Sequence, residues 1–503
     1  MKKIQSRTKF CIIICMIFGL GILGFLLKLY RNRNNWTVDN YNKTIGYDPS
    51  NYEIASNSDQ TRKTRREYYT DDTNAEKLYV RGTLVDRKGK PLATLTENGI
   101  KFSEDEATRK AMVKIVGDRY RNISTGTLTA FSGYFSRYVT ENKKYTAENS
   151  GNQVALTIDS EINKQAIAAL GKYTGLIAVY NYKTGQLLCN ASTPVYDPDN
   201  IPEDINKNPI YSGCYMNSLY QSLFTPGSTM KTVTLEAAID TIPDVFERRF
   251  LCQGSMVINK QVLRCTGVHG SQDLATAYAN SCNCAFAEIS SLIKRSMMQN
   301  NVNNGILTSS TLIDGSIKTA KGSFDIMKST DFEFAWTCIG LHHDLMNPCS
   351  MLMYVGSIAN GGQAAIPTNL LSVTDTEGNV IKTTETVMNK QVINPATANK
   401  MKEIMVNNTV NHPSHYATGR FNVRIGAKTG TVNRADTGYN GWFVGFVDEP
   451  EYPFAFVCFV ERAGYGVAIP GGICATMLKA LCVPEYAMPV EEPGVTPSVT
   501  QAP

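Results

Sequence analysis

One uninterrupted apolar run near the N-terminus constrains this chain more than any other feature. The run reads FCIIICMIFGLGILGFLL, from Phe10 to Leu27, and contains no charged residue. A stretch of about 18 apolar residues is near the lower limit for a helix that spans a bilayer. Basic residues lie on both sides of it, and no small-x-small cleavage pattern follows. We therefore expect a transmembrane signal anchor over residues 10–30, with a cleaved signal peptide as the alternative.

Such an anchor fixes the compartment of the rest of the chain. With residues 1–9 as a cytoplasmic tail, everything after Tyr30 lies on the extracytoplasmic face of the cell membrane, in a single-pass topology. Eleven of the 13 cysteines then lie in a compartment that favours disulfides. Cys252 and Cys265 flank a predicted hairpin and are the one candidate pair. The chain has no Cys-x-x-Cys string, so we expect no metal and no cofactor.

The composition suggests several folded units and no nucleic-acid partner. The chain has 503 residues, and its net charge of +5 is mild. Residues 31–75 are polar and predict a stalk, and residues 76–150 begin with a strand, turn, strand pattern, which indicates a small N-terminal pedestal domain. The Pro-rich residues 486–503 predict a disordered tail.

Residues 151–485 read as a unit of class α+β. VALTID predicts a strand, and SEINKQAIAALGKY predicts a helix with Ser160 as its N-cap. LIAVYNYKTGQLLCNAS predicts a hairpin, and VRIGAKTGT, GYNGWFVGFV and FAFVCFVERA predict three successive strands near the end. Two early and three late strands around a helical block predict one antiparallel sheet.

Three short strings of reactive residues occur in order within this unit. They are Ser228-Thr229-Met230-Lys231, Ser281-Cys282-Asn283 and Lys428-Thr429-Gly430-Thr431. Each type of string is weak alone, because Ser-x-x-Lys and Lys-Thr-Gly also occur elsewhere. The further copies are Ser6–Lys9, Ser291–Lys294 and Lys183–Gly185. The first copy precedes the apolar run, the second lies in a helical stretch and the third forms a predicted turn, so we set all three aside.

The first string has the composition of a nucleophile and its base. A neutral hydroxyl needs a base, and residues three apart on a helix share one face. Lys231 would therefore reach the hydroxyl of Ser228. Burial and the second cation, Lys428, would lower the pKa of Lys231 so that it can accept a proton.

The other two strings have the composition of a proton relay and a substrate clamp. Ser281 can pass a proton to a leaving amine, and Asn283 can bond a substrate amide. Lys428, Thr429 and Thr431 suit a terminal carboxylate, and Gly430 would permit close approach of a substrate backbone.

Backbone groups would complete this site, and each motif also has a simpler interpretation. The N–H groups of Ser228 and Thr431 would form the oxyanion hole. In the simpler interpretation, Ser228 only caps a helix, Ser281 and Asn283 only form a turn, and Lys428 is a solvated strand end.

The motifs and their flanking sequences resemble those of the penicillin-binding proteins. The segments RGTLVDRKGKPLA, VALTIDSEINKQA and AVYNYKTGQLLCNASTPVYDPDN extend the likeness, which indicates the compact class B type related to division proteins. It implies the serine penicillin-recognising transpeptidase fold, with an antiparallel sheet, helices on both faces and a helical subdomain. One segment departs from the family, because Gly340 is followed by Leu341 and His342 where Gly-Gln-Gly is common.

The resemblance also implies an activity and partners. The activity is that of a peptidoglycan D,D-transpeptidase, which cross-links stem peptides through a serine acyl-enzyme and is inhibited by β-lactams. The implied partner is a membrane glycosyltransferase of the division or elongation machinery, since no such domain fits before Asn152. Three alternatives stay open: a D,D-carboxypeptidase, a β-lactamase-like hydrolase, or a non-catalytic β-lactam-binding scaffold.

Overall fold

The structure is a computed structural model that describes residues 82–96, 99–135, 138–139, 144–145, 151–324, 326–434, 438–464 and 466–489. The predicted cytoplasmic tail, anchor and stalk lie outside these ranges, as does most of the predicted C-terminal tail. Among the described residues, none of the helices combines the length and the apolar character that crossing a bilayer would require.

The strands are numbered here in chain order. They are β1 (Gly82–Val85), β2 (Pro91–Thr96), β3 (Gly99–Phe102), β4 (Tyr138–Val139), β5 (Lys144–Tyr145), β6 (Asn152–Leu156), β7 (Gly175–Asn181), β8 (Leu187–Ser192), β9 (Phe250–Cys252), β10 (Ser255–Ile258), β11 (Gln261–Arg264), β12 (Gly270–Gln272), β13 (Leu312–Ile313), β14 (Ile317–Lys318), β15 (Leu370–Thr374), β16 (Val380–Thr383), β17 (Ile425–Arg434), β18 (Gly438–Val447) and β19 (Phe454–Val460).

The helices follow the same convention. They are α1 (Glu106–Val116), α2 (Thr127–Ala130), α3 (Ser132–Phe135), α4 (Ser160–Leu170), α5 (Ser218–Gln221), α6 (Lys231–Thr241), α7 (Leu274–Ala279), α8 (Asn283–Leu292), α9 (Arg295–Asn304), α10 (Asp331–Cys338), α11 (Pro348–Ala359), α12 (Pro395–Asn411), α13 (Pro413–Tyr416) and α14 (Ala468–Leu481). Short 3-10 turns cover Pro209–Tyr211, Gly227–Met230, Thr418–Arg420 and Pro484–Tyr486.

A five-stranded antiparallel sheet lies at the centre of the molecule. Its order is β17-β18-β19-β7-β8, which joins the two early and three late strands and confirms that prediction. Side chains alternate between two faces along a strand. In β7, Leu176 and Ala178 join the core that contains α11, while Ile177 and Val179 join the core that contains α4 and α14. Both faces of the sheet are therefore covered by helices, as predicted.

A second sheet has the order β16-β15-β6-β1-β2-β3, with β1 and β6 parallel. This sheet combines strands from both sides of the predicted boundary between residues 150 and 151. The division into a pedestal domain and a transpeptidase domain stays a prediction.

The predicted cap of α4 was wrong by one residue. The N-cap is Asp159, whose carboxylate accepts the N–H groups of Glu161 and Ile162. Ser160 is the first helical residue, and its hydroxyl donates a hydrogen bond of 2.6 Å to Asp86. An aspartate and a serine in sequence are both good caps, so the sequence does not separate them.

Candidate active site

The first motif lies on a tight turn that leads into a buried helix. Gly227–Met230 form a 3-10 turn, and α6 continues it from Lys231. The cap positions are occupied by Pro226 and Met230 without a side-chain cap hydrogen bond. The hydroxyl of Ser228 is therefore not spent on helix capping, which removes the simpler interpretation of this serine.

Two glycines hold this turn against its neighbours. Gly227 has a φ of +56°, and its N–H donates a hydrogen bond of 2.9 Å to the carbonyl of Gly340. Gly340 has a φ of +78°, and a Cβ atom there would lie 1.9 Å from the carbonyl oxygen of Gly227. The segment that departs from the family pattern thus packs directly on the nucleophile turn, and its glycine is required by close backbone contact.

Lys231 joins the first two motifs. Its side chain is completely buried, and its Nζ lies 2.9 Å from Ser228 Oγ. The same nitrogen lies 2.9 Å from the Ser281 carbonyl oxygen and 2.7 Å from Asn283 Oδ1. The structure therefore brings together the residues that the sequence predicted for nucleophile, base and relay.

These contacts fit the neutral amine. A neutral –NH₂ group has two hydrogens and one lone pair. The carbonyl of Ser281 and the amide oxygen of Asn283 can only accept hydrogen bonds, so they take both hydrogens. The lone pair then faces the hydroxyl of Ser228, which can donate its proton.

The environment also favours the neutral amine. Burial lowers the pKa of Lys231 to about 7, against a weaker opposite effect of the Cys265 and Cys282 sulfurs. Lys428 is also completely buried, and burial, followed by repulsion from Lys231, lowers its pKa well below the ordinary value. Burial is thus the main cause of both lowered pKa values, and the expected repulsion between the two lysines lowers chiefly the pKa of Lys428.

Lys428 approaches the same centre from the central sheet. Its Nζ lies 3.0 Å from Ser281 Oγ, which in turn lies 3.3 Å from Lys231 Nζ. The hydroxyl of Ser281 therefore bridges the two buried lysines. Lys428 is not a solvated strand end, and its Nζ also donates a hydrogen bond of 2.9 Å to the carbonyl of Thr429.

The rest of the third motif lies on the edge strand of the sheet. Thr429 and Thr431 are half-buried on β17, which is an edge strand of the sheet as far as the described residues show. A Cβ atom at Gly430 would meet Thr229 Cγ2 at 3.0 Å and the Pro226 carbonyl oxygen at 3.1 Å. The absent side chain therefore lets the nucleophile turn pack on β17. Close approach of a substrate backbone at Gly430 stays a prediction.

Two of the copies that the sequence set aside lie at other positions in the fold, and Ser6–Lys9 lies outside the described residues. Ser291 and Lys294 are exposed, and the hydroxyl of Ser291 bonds the carbonyl of Glu288. Gly185 has a φ of +81° in the β7–β8 turn, where a Cβ would meet the Ile366 carbonyl oxygen at 2.3 Å.

Sequence reasoning missed three aromatic residues around the centre. The ring of Tyr278 lies 5.6 Å from Lys428 Nζ, and the ring of Phe286 lies 6.0 Å from Lys231 Nζ. Trp442 is fully buried on β18 and donates a hydrogen bond of 3.0 Å from Nε1 to the Thr225 carbonyl. In sequence these rings look like any core aromatics, and only their distances to the lysines and to the nucleophile turn distinguish them.

The fold is an antiparallel sheet between helical layers. Its site combines a serine on a 3-10 turn, a buried lysine at the start of the following helix and a second lysine on the edge strand. These features define the class of penicillin-recognising serine proteins. The family model for the penicillin binding protein transpeptidase domain matches residues 175–479, which is more than half of the chain. The chain belongs to this family.

Curated relatives agree with this membership. Stage V sporulation protein D of Bacillus subtilis is 26% identical over 326 residues, which are 60% of this chain and 48% of that protein. Peptidoglycan D,D-transpeptidase PbpA of Mycolicibacterium smegmatis is 22% identical over 352 residues, which are 65% of this chain and 70% of that protein. The match thus spans about half the length of the first of these relatives.

Solved structures share the fold. Penicillin-binding protein A from M. tuberculosis, in an imipenem acyl-enzyme complex, has a TM-score of 0.70 at 20% identity and covers 80% of this chain and 98% of its own. Pseudomonas aeruginosa PBP2 has a TM-score of 0.67 at 18% identity and covers 81% of this chain and 99% of its own.

Proposed function

We propose that this protein is a peptidoglycan D,D-transpeptidase that acts through an acyl-enzyme on Ser228, and that β-lactams acylate the same serine. The observation that carries the proposal is the contact of 2.9 Å between Ser228 Oγ and the buried amine of Lys231. Family membership and the relatives named as D,D-transpeptidases support the substrate class.

Acylation begins with a proton transfer. Neutral Lys231 accepts the proton of Ser228 as Oγ attacks the carbonyl carbon of the penultimate D-Ala. The bond to the terminal D-Ala nitrogen breaks, and this leaving amine takes a proton through the hydroxyl of Ser281. An ester on Ser228 results. The amine of a second stem peptide then attacks the ester carbonyl and loses a proton to Lys231, the bond to Ser228 Oγ breaks, and Oγ takes the proton back as the cross-link forms.

The edge strand supplies the remaining contacts in this proposal. The nucleophile turn and β17 lie side by side, since a Cβ at Gly227 would be 3.4 Å from Thr431 N. The N–H groups of Ser228 and Thr431 stabilise the oxyanion. Lys428, Thr429 and Thr431 bind the terminal carboxylate, and Asn283 bonds a substrate amide.

The proposed substrate sets the location. Because peptidoglycan lies outside the cytoplasmic membrane, residues 10–30 would anchor the chain with its catalytic part on the extracytoplasmic face. A membrane glycosyltransferase of the division or elongation machinery would supply the glycan strands. Deleting residues 1–30 should release the protein from the membrane fraction, and a deletion variant that stays bound would contradict the anchor.

Labelling with a fluorescent penicillin tests the nucleophile. Wild-type protein should form a stable adduct on the peptide that contains Ser228, found by mass spectrometry, and Ser228→Ala should form none. Ser291→Ala is the matched control, because it removes the serine of an exposed Ser-x-x-Lys string and should label normally. An adduct that persists in Ser228→Ala would refute the assignment.

A peptide assay tests the reaction. With a substrate that ends in D-Ala-D-Ala and an acceptor amine, the protein should release D-Ala and join the two peptides. Release without joining would indicate a carboxypeptidase. Rapid loss of the penicillin label would indicate a β-lactamase-like hydrolase, and labelling without D-Ala release would indicate a scaffold.

A further inference from the structure

Three cysteines and a histidine lie close together at the second motif, and one of them is the middle residue of that motif. The sulfurs of Cys252, Cys265 and Cys282 and a ring nitrogen of His269 all lie within 4.8 Å of one another. We propose that these four side chains form a zinc site that holds Ser281 and Asn283 in position.

The donor atoms match a tetrahedral zinc site. With Zn–S bonds of about 2.3 Å and Zn–N bonds of about 2.0–2.1 Å, tetrahedral geometry places two sulfurs about 3.8 Å apart and a sulfur and a nitrogen about 3.6 Å apart. The Cys265 and Cys282 sulfurs are 3.8 Å apart, and Cys265 Sγ and His269 Nδ1 are 3.5 Å apart. A modest contraction of the remaining pairs would complete the cage.

The chemistry of the donors selects the metal. Three thiol groups and one imidazole are the ligands of structural zinc sites of the Cys₃His type, whereas Ca²⁺ and Mg²⁺ prefer oxygen. Cys252 and Cys282 are buried, and Cys265 and His269 are half-buried, so the site is nearly closed to water. A closed site with four protein ligands is structural, because it leaves no position for substrate.

The scaffold around the sulfurs suits thiolate ligands. Cys252 ends β9, Cys265 follows the β10–β11 hairpin, and β12 begins directly after His269. Backbone N–H groups donate to two of the sulfurs, from Asn283 to Cys265 at 3.2 Å and from Ala285 to Cys282 at 3.4 Å. Such hydrogen bonds stabilise negative charge on sulfur and fix the orientation of a ligand.

The proposed zinc site and the candidate active site share one chain segment. Cys282 lies between Ser281, which bridges the two buried lysines, and Asn283, which contacts Lys231. Ser281 has a φ of +50°, a strained conformation for a residue with a side chain. Asn283 Nδ2 also donates 3.0 Å to the carbonyl of Arg264, the neighbour of Cys265. Zinc would therefore hold both motif residues through their immediate chain neighbours.

This inference replaces two expectations from the sequence. In the structure the Cys252 and Cys265 thiols are free, so the candidate disulfide is not formed. The expectation of no metal followed from the lack of a Cys-x-x-Cys string, but the ligands come from four separate positions that only the fold brings together.

Metal analysis of the purified chain tests the site directly. Wild-type protein should hold about one zinc ion per chain by mass spectrometry of metals, as a single Cys₃His site requires. His269→Ala should lose the zinc, while His269→Cys should keep it as a Cys₄ site, which a simple hydrogen-bonding role would not explain. Cys349→Ala is the control, since Cys349 is fully buried outside the cluster, and it should keep the zinc.

A second measurement uses the unaltered chain, so it does not depend on the folding of variants. Cobalt exchanged into the zinc-depleted protein should give the absorption bands of tetrahedral thiolate coordination. Two results would overturn the proposal. One is wild-type protein that binds no zinc after incubation with excess zinc, and the other is a Cys252–Cys265 disulfide in non-reducing mass spectrometry.

The positioning role rests on the proposed function and has its own readout. Removing zinc with a chelator should slow acylation by penicillin, and adding zinc back should restore it. Depleted protein that acylates as fast as the zinc form would overturn the positioning role. Ser228→Ala should keep its zinc but lose labelling, so a failure of the proposed function is distinguishable from a failure of the metal site.

Discussion

Gly340→Ala should misplace the nucleophile without altering any catalytic side chain. The new Cβ would lie 1.9 Å from the Gly227 carbonyl oxygen and 2.6 Å from its carbonyl carbon. The Cβ to oxygen distance must widen by about 1.1 Å to reach the 3.0 Å below which real Cβ contacts are essentially not found. Since Gly227 directly precedes Ser228, much of this shift passes to the nucleophile.

The expected loss is large for a single methyl group. A misplacement of about 1 Å in a catalytic constellation can cost about 100-fold in rate. We therefore expect the second-order rate constant for acylation by a fluorescent penicillin to fall by about two orders of magnitude. Thermal unfolding measured in parallel would report how much of the protein remains folded.

A glycine with the same φ provides the control. Gly213 also has a φ of +78°, but a Cβ there would meet nothing within 4 Å. Gly213→Ala therefore carries the same left-handed strain, about 1–2 kcal/mol, without the collision. It should acylate at the wild-type rate. Gly340→Ala protein that is folded and acylates equally fast would refute the steric reasoning.

Three further predictions concern buried polar groups. Because burial lowers the pKa of Lys231 to about 7, the acylation rate should rise with pH and level off above that value; a flat profile between about pH 5 and 9 would contradict a lysine base. Burial raises the pKa of Glu236, which accepts a hydrogen bond from Tyr354, to about 8. Its contribution to the free energy of unfolding is therefore full below about pH 4.5 and is lost as pH rises through 8. Glu236→Gln should remove up to about 5 kcal/mol of this pH dependence, measured by urea unfolding at several pH values. A free energy of unfolding that varies with pH as in the wild type would contradict this role of Glu236. Trp442→Phe should cost about 0.5–1.5 kcal/mol in the same assay, because the hydrogen bond to the half-buried Thr225 carbonyl is lost; an unchanged midpoint would mean that the bond contributes nothing.

The class of fold and the list of reactive residues followed from sequence patterns. The β7–β8 hairpin and the strands β17 to β19 show the local alternation and turn residues that predict strands, and the structure pairs them in one antiparallel sheet. These signals are local, because the pleat of a strand repeats every two residues whatever it packs against.

The reasons for individual glycines did not follow from the sequence. Gly430 was expected to admit a substrate backbone, which stays a prediction, and its missing side chain also makes room for Thr229 and the carbonyl of Pro226. Gly340 lay in a segment of doubtful role, yet it contacts the nucleophile turn. A contact between chain segments about 100 residues or more apart leaves no periodic signal in either segment.

The sequence by itself determined that Ser228, Lys231 and Lys428 were available, since residue type and local spacing are written in the chain. Only the tertiary structure decided what each can do. Complete burial favours the neutral form of Lys231, and its hydrogen bonds to the Ser281 carbonyl and the Asn283 amide leave its lone pair for the serine. The same folding collects Cys252, Cys265, His269 and Cys282 into one cluster. Protonation state and ligand geometry depend on what surrounds a side chain, and those surroundings come from distant parts of the chain.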